Sequence, residues 1–283
     1  MANHIIITPC YNDWKSLNKL ISKLDKIKQT IKGTLDIFII NDHSTTKISL
    51  KKKYKNIKSI NFLNLKRNVG SQKAIFIGLQ YIKKKRINST ITIMDSDGED
   101  DPGKVAKLIN LSEKNKKHII IAERLKRTEN VFYKFLNFLR ILLTFLVTGK
   151  YLNFGNFSSF HSSILNKILT NANLSIAYSA GIKKNFKKFK SYPIKKKKRF
   201  FGISKVSFNF LFNHSLNIIT VFKNEVLTRS IIFLSAIYYL FEMQIFLIIL
   251  FLAFIVNGLT FSNYIWHNKL KFNLNDIKDI KKL

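Results

Sequence analysis

Acidic residues are scarce in this sequence, and cysteine is scarcer. The 283 residues hold 16 Asp plus Glu against 49 Lys plus Arg, a formal net charge of +33, and one cysteine, Cys10. A single cysteine excludes an intrachain disulfide and any cysteine metal cluster, and it is compatible with a reducing compartment. Between Glu129 and Glu225 there is no acid at all. So large a cationic excess implies an anionic partner: nucleic acid, an anionic membrane surface or a phosphorylated substrate. The lysine runs lack the interleaved stacking aromatics of a nucleic-acid module, so no nucleic-acid partner is expected. A hydrophobic fraction of 46%, with 25 Phe, excludes a disordered basic tail. Met1 to Tyr11 lack a basic segment followed by a long apolar run, so no cleavable signal peptide is expected. The length suffices for one large domain or two smaller ones.

Against that background the placing of the few acids is informative. Five of the 16 crowd into seven residues, Asp95-Ser96-Asp97-Gly98-Glu99-Asp100-Asp101, directly after the β-branched run Thr90-Ile-Thr-Ile-Met94 and just before Pro102. The run reads as a buried strand. Asp95, Asp97 and Glu99 alternate, so an extended chain points them to one side, and Gly98 lets it bend until all three converge. Three hard oxygen donors suit Mg²⁺ or Mn²⁺, with a substrate's phosphates supplying further ligands. The competing reading is an acidic loop that caps the next helix, with Asp100 or Asp101 as N-cap and Pro102 at N1.

Taken in order, short apolar runs at His4–Ile7, Leu35–Ile40, Ile60–Leu65, Thr90–Met94 and Ile119–Ala122 read as strands. Helical patterns lie between them, through Leu17 to Ile27, Ala74 to Ile82 and Pro102 to Leu111. This alternation predicts an α/β fold: a mostly parallel, doubly wound sheet with helices on both faces. Polar clusters follow several strands, where such sheets bind ligands.

Thr8-Pro-Cys-Tyr-Asn12, Asn41-Asp-His-Ser-Thr-Thr46, Arg67-Asn-Val-Gly-Ser-Gln-Lys-Ala74, Met94-Asp-Ser-Asp-Gly-Glu-Asp-Asp-Pro102 and Ala122-Glu-Arg124 occur in this order. Together they resemble the family 2 glycosyltransferases of the GT-A (Rossmann-like) fold, and among them the polyprenyl-phosphate glycosyltransferases such as dolichol-phosphate mannose synthase. The resemblance implies an inverting transfer of a sugar from a nucleotide-diphosphate sugar to a polyprenyl phosphate. It implies that Pro9, Tyr11 and Asp13 line the nucleotide pocket, with Asp42 on the base and Asn68, Gly70, Lys73 and Ser96 in the same site. Asp95 and Asp97 match the family's Asp-x-Asp, on ribose and metal-diphosphate, and Glu99 stands where relatives often carry a Gln ligand. Arg124 and Arg127 would hold phosphates by charge-assisted hydrogen bonds. The family's first acid of the second motif is here Asn41. Read without the family, the alternatives are Tyr11 as core and Arg67 and Arg127 as solvated surface, while His43 reads by preference as a turn residue.

The later chain changes character. In Val131 to Val147, Lys134, Asn137, Arg140 and Thr144 form one narrow polar stripe at helical spacing. An in-plane interfacial helix and a buried core helix both fit, and Val206 to Phe222 reads similarly. Gly155-Asn156-Phe157-Ser158 stands where many relatives have Gly-Asp-Phe-Arg. Asn156 cannot serve as a carboxylate base, which suits an acceptor phosphate that is already ionised. Arg199-Phe-Phe-Gly202-Ile-Ser204-Lys205 resembles the family's basic segment, so Arg199 and Lys205 would hold that phosphate; unspecific attraction to anionic lipid, ~1 kcal/mol per residue, is the alternative. Ser230 to Val256 could form one long spanning helix, and the stretch from about Val226 to Trp266 a transmembrane hairpin turning at Glu242-Met243-Gln244; the hairpin is preferred because it keeps the C-terminal lysines on the side of the basic catalytic half. The expected organisation is therefore a catalytic domain over 1–130, an acceptor-binding juxtamembrane region over 131–225, a membrane hairpin over 226–266 and a basic cytoplasmic tail over 267–283. The hairpin implies a multi-pass protein of the inner membrane with its catalytic half on the cytoplasmic side. A homo-oligomer is compatible with the sequence. Two rival readings stay open: transfer to a polysaccharide or diacylglycerol, and a basic binding protein without catalysis.

Overall fold

The computed structural model describes residues 3–50, 54–124, 131–170, 172–202, 208–240, 243–270 and 273–283. Its strands are β1 (Asn3–Cys10), β2 (Thr34–Asn41), β3 (Ser59–Leu65), β4 (Thr90–Ile93), β5 (Ile119–Arg124), β6 (Phe154–His161), β7 (Phe189–Ile194) and β8 (Ile277–Lys282). The helices are α1 (Trp14–Ile27), α2 (Ser71–Lys84), α3 (Val105–Lys114), α4 (Val131–Thr148), α5 (Leu165–Ile168), α6 (Asn173–Ile176), α7 (Tyr178–Asn185), α8 (Phe208–Val221), α9 (Lys223–Leu240) and α10 (Met243–Lys269). One sheet takes all eight strands in the order β7-β5-β6-β4-β1-β2-β3-β8.

The first four strands behave as their apolar runs require. β1 pairs in parallel with β2 and β4, and β2 with β3. Both faces are covered, so the strands are apolar on both sides rather than alternating. One face buries Ile5, Ile7, Ile40, Leu63 and Ile93 beneath α2. The other buries Ile6, Leu35, Ile37, Ile39 and Phe62 beneath α1 and α3. Gly78 lets α2 lie close to the sheet, since a Cβ there would stand 2.9 Å from Ile40 Cδ1.

Beyond β4 the sheet is mixed, which corrects the mostly parallel expectation. β6 inserts antiparallel between β4 and β5, and β7 pairs in parallel with β5. The serines of β6 conceal it from an apolar reading. Their hydroxyls are buried but satisfied: Thr92 Oγ1 donates to Ser159 Oγ at 3.0 Å, and Ser158 Oγ shares a 2.7 Å hydrogen bond with Tyr178 OH. A boundary near residue 130 therefore does not divide the sheet. Nor are residues 277–282 a free tail: β8 pairs antiparallel with β3 at the sheet edge, Asn61 opposite Lys282, and Asn64 Nδ2 donates to Asp279 Oδ1 at 2.5 Å.

Between α8 and β8 the chain makes a helical hairpin. α9 starts in the body, where Val226 is buried, and α10 returns to it. Asn263 Nδ2 donates to Asn217 Oδ1 at 3.0 Å and to Thr220 Oγ1 at 2.8 Å, and His267 Nε2 shares a 3.0 Å hydrogen bond with Asn217 Oδ1. Between these attachments Ile231, Ile232, Phe233, Tyr239, Leu247, Ile248, Phe251 and Phe254 are exposed. α9 ends at Leu240 and α10 begins at Met243; Glu242, in the expected turn, lies outside the described residues. Among the described residues one helix, α10, is long and apolar enough to cross a membrane. α9 carries Lys223, Glu225 and Arg229 in its first two turns and does not qualify.

α4 lies beside α8 and α9. Thr144, of the stripe, and Thr148 are buried while Phe138, Leu143, Phe145 and Leu146 are exposed, so at this end of the helix hydroxyl-bearing residues face the protein and large apolar side chains are open. Arg229 Nε caps this helix by donating to Leu146 O at 3.1 Å, a favourable cation at a helix C-terminus. α8 differs from the interfacial expectation: Ile218, Val221 and Phe222 are buried in the main core.

Candidate active site

The carboxyl ends of β1, β2 and β4 open on a pocket of about 240 Å³ lined by Pro9, Cys10, Tyr11, Asp13, Asp42, Ser71, Asp95, Ser96, Asp97 and Arg199. Three separately expected segments thus meet, as parallel topology demands of strand ends that share a sheet edge. Tyr11 is 47% exposed and is not core. Asp13 caps α1, its Oδ1 accepting from Ser16 N at 3.2 Å. Asp42 is locked by the loop before α2, its two oxygens accepting from Val69 N at 2.7 Å and Gly70 N at 2.8 Å. Burial pushes its carboxyl up despite those two donors. Gly70 holds a φ of 84°, a left-handed conformation that suits glycine. Burial likewise pushes the Cys10 thiol up to about 12, which leaves it unreactive.

Asn41, in place of the family's acid, is used inside the fold. Its Oδ1 accepts from Ser44 N at 3.0 Å and its Nδ2 donates to Asn64 Oδ1 at 2.8 Å. His43, at a φ of 58°, is a turn residue. Asn68 is exposed and not among the pocket-lining residues. Lys73 is buried on α2, its Nζ 4.9 Å from the Trp266 ring centroid, and also lies outside the lining. Arg124 ends β5; Arg127 and Lys205 lie outside the described residues.

The acidic loop divides its members between structure and pocket. Asp100 Oδ2 accepts from Asp95 N at 2.9 Å, and Asp101 Oδ1 caps the turn at Pro102 by accepting from Gly103 N at 3.0 Å. The capping reading thus holds for Asp101, with Pro102 at N1, while Asp100 instead braces the start of the acidic loop. Glu99 departs from the converging trio: Lys196 Nζ stands 2.6 Å from Glu99 Oε2 and draws it toward the basic segment. No group of three acid, histidine or cysteine side chains placed to hold a metal occurs among the described residues. Asp95 and Asp97 remain on the pocket. Burial, then the charge of Asp95, push the Asp97 carboxyl up to about 6, opposed by the Glu99 N–H and by Arg199. Two crowded carboxylate groups fit a hard divalent cation that keeps few protein ligands and takes the rest from diphosphate and water, the habit of Mg²⁺.

The basic segment is laid along this loop. Lys197 N donates to Glu99 O and Phe200 N to Asp97 O, each at 2.9 Å. Arg199 reaches the pocket, 3.4 Å from Asp97 Oδ2 and 3.5 Å from Asp13 Oδ2, while its Nε is buried without a hydrogen-bond partner. Phe200 closes over Gly98, whose missing Cβ would stand 2.5 Å from the ring.

Asn156, on β6, is buried at the pocket's rear, its Nδ2 donating to Asp95 Oδ1 at 3.0 Å. Gln72, Ser71 and Cys10 were not expected at the site from the sequence, although all three lie inside motifs that were quoted.

The family model described as Glycosyl transferase family 2 matches residues 5–185. A curated relative, an uncharacterised glycosyltransferase of Synechocystis sp., is 32% identical over 108 residues, 37% of this chain and 32% of the relative, so the match spans about a third of that protein. Glucosyl-3-phosphoglycerate synthase from Mycobacterium tuberculosis, solved with uridine diphosphate, superposes with a TM-score of 0.51 at 11% identity over 80% of each chain. A mycobacterial protein superposes at 0.50 and 10% identity over 80% of this chain and 75% of that one. These two likenesses are of fold.

Proposed function

The chain belongs to glycosyltransferase family 2, and on that premise we propose that it moves a sugar from a nucleotide-diphosphate sugar to a polyprenyl phosphate at a membrane surface, with inversion. The observation that carries the reading is Arg199. Its guanidinium enters a pocket of carboxylate groups from a cationic segment, 3.4 Å from Asp97 Oδ2 and 3.5 Å from Asp13 Oδ2, and so sets a permanent cation with bidentate hydrogen-bonding capacity at the strand ends, as an anionic substrate requires. The donor lies along the strand ends against Pro9, Tyr11, Asp13, Asp42 and Ser96. Mg²⁺ or Mn²⁺ held by Asp95 and Asp97 supplies neutralisation of the leaving diphosphate. The lipid phosphate is held by Arg199, with Arg124 and Lys205 assigned to the same anion and Arg127 to the donor. One phosphate oxygen attacks the anomeric carbon, and the electron pair of the breaking C–O bond leaves with the nucleotide diphosphate. No base is needed, because the nucleophile is already ionised, and the Asn156 carboxamide has none to offer.

The membrane part of the proposal rests on the hairpin. Since β8 rejoins the catalytic sheet after α10, the hairpin must enter and leave on one face. The open apolar face of α4 would lie in the headgroup region beside it. The lysine-rich surface suits an anionic cytoplasmic leaflet, and the reading places the protein in the inner membrane.

The test is a transfer assay on membranes containing the protein, with a panel of radiolabelled nucleotide sugars, undecaprenyl phosphate and Mn²⁺. The expected product is an EDTA-sensitive labelled lipid that gives up its sugar in mild acid. Release of nucleotide diphosphate without a labelled lipid would keep the donor site and overturn the acceptor.

A further inference from the structure

We infer that Gln72 is a positioning residue of this site: it fixes the direction of the Asn156 carboxamide so that Asn156 donates to Asp95. The inference rests on the donor-site reading above. Its starting point is Tyr178, the first residue of α7. The Tyr178 backbone N–H, which can only donate, meets Gln72 Oε1 at 2.7 Å. That contact decides which end of the Gln72 amide is which, so Gln72 Nε2 faces Asn156 Oδ1, at 3.2 Å. Asn156 Nδ2 is then the atom left to face Asp95 Oδ1, at 3.0 Å. The direction of every hydrogen bond in the series follows from the first.

The series is braced at both ends. Ser158 Oγ donates to the Asn156 backbone carbonyl at 3.1 Å and meets Tyr178 OH at 2.7 Å. Tyr178 and Asn156 are buried, so water does not substitute for these partners. A reversed Asn156 would set its carbonyl oxygen against the Asp95 carboxylate, two acceptors in contact. Gln72 therefore acts on the site without touching substrate.

The test separates this role from a structural one. Gln72→Ala loses both contacts. Gln72→Glu keeps an acceptor for the Tyr178 N–H, but its other oxygen can only accept, so Asn156 turns its NH₂ to residue 72 and its oxygen to Asp95. Each variant is made with and without Asn156→Ala. All are compared by thermal melting, by calorimetric binding of UDP and GDP with Mn²⁺, and by release of nucleotide diphosphate from the donor. Gln72→Glu is expected to melt like the wild type yet lose about 10- to 100-fold in kcat/KM and in affinity for the preferred nucleotide, the scale of one hydrogen bond to a charged group. In the Asn156→Ala background Gln72→Glu is expected to add little, because its route to Asp95 is already gone. Wild-type behaviour of Gln72→Glu overturns the inference, as does an equal loss in the Asn156→Ala background, which would mark the new charge itself as the cause. If the wild type turns over donor without labelling lipid, the acceptor reading falls and the Gln72 comparison stands. If it binds no nucleotide, the donor-site reading falls and the positioning role with it.

Discussion

Asp97 is held in a state that works against the fold. Burial and the adjacent Asp95 lift its carboxyl to about 6. A carboxyl whose folded pKa lies above its unfolded one favours folding only while protonated. That contribution is complete below the ordinary carboxylate range, near 4, and is lost as pH rises through about 6. At neutral pH the ionised Asp97 therefore costs stability. Asp97→Asn is expected to melt higher than the wild type at neutral pH in EDTA, with the difference shrinking between about pH 6 and 4, and to abolish transfer. Differential scanning calorimetry across that range, beside the transfer assay, checks both. At this scale the motifs at the ends of β1, β2 and β4 were readable, since Pro9, Tyr11, Asp13, Asp42, Ser96, Asp95, Asp97 and Arg199 do meet, whereas Asn68 and Lys73 of the third motif lie outside the lining. It was unreadable where the partner is distant in the chain. Nothing local shows that Glu99 will be drawn off by Lys196, that Lys73 will lie under Trp266, or that Gln72 will receive the Tyr178 N–H.

Among the elements, close approach of backbones decides what can change. Gly181 in α7 packs on α6, where an added Cβ would stand 2.7 Å from Leu174 N and 2.8 Å from Asn173 C. Backbone atoms cannot swing aside as a side chain can, so Gly181→Ala is expected to destabilise the protein by about 1–3 kcal/mol, the usual range for overpacking. Because α7 begins at Tyr178, the same shift should weaken donor binding. A chemical denaturation curve and nucleotide calorimetry on one preparation test the pair. The first five strands were legible because both of their faces are buried and their runs are apolar, β-branched in all but β3. β6 was not, since its buried serines are paired by hydroxyls from other elements. β7 carries Lys190 and Pro193 at an edge, and β8 reads as charge because edge strands are defended by charge. Each of these depends on tertiary partners that a local pattern does not contain.

At the scale of the whole molecule the two populations of surface are segregated: cations over the catalytic body, large apolar side chains on the hairpin and the outer face of α4. α10, with 27 residues, is about 40 Å long and α9, with 18, about 27 Å, against roughly 30 Å of hydrocarbon. With its lower part bound to the body, the hairpin is long enough to bury its exposed section in the bilayer. Membrane association is accordingly expected to survive high salt and alkaline carbonate, which strip proteins held by charge alone. Phe251→Lys together with Phe254→Lys, at about 2.5–3.5 kcal/mol each in a helix centre, should release it. Fractionation followed by blotting reads the outcome, and a wild-type protein washed off by salt would contradict the embedded hairpin.

The pairing of β8 with β3 also dictates an order of assembly. The strand that completes the sheet edge emerges from the ribosome after both arms of the hairpin, so until then β3 presents an unpaired edge of the kind that recruits other chains. The same order means that a chain halted within α10 carries every pocket-lining residue yet leaves its catalytic body unsealed.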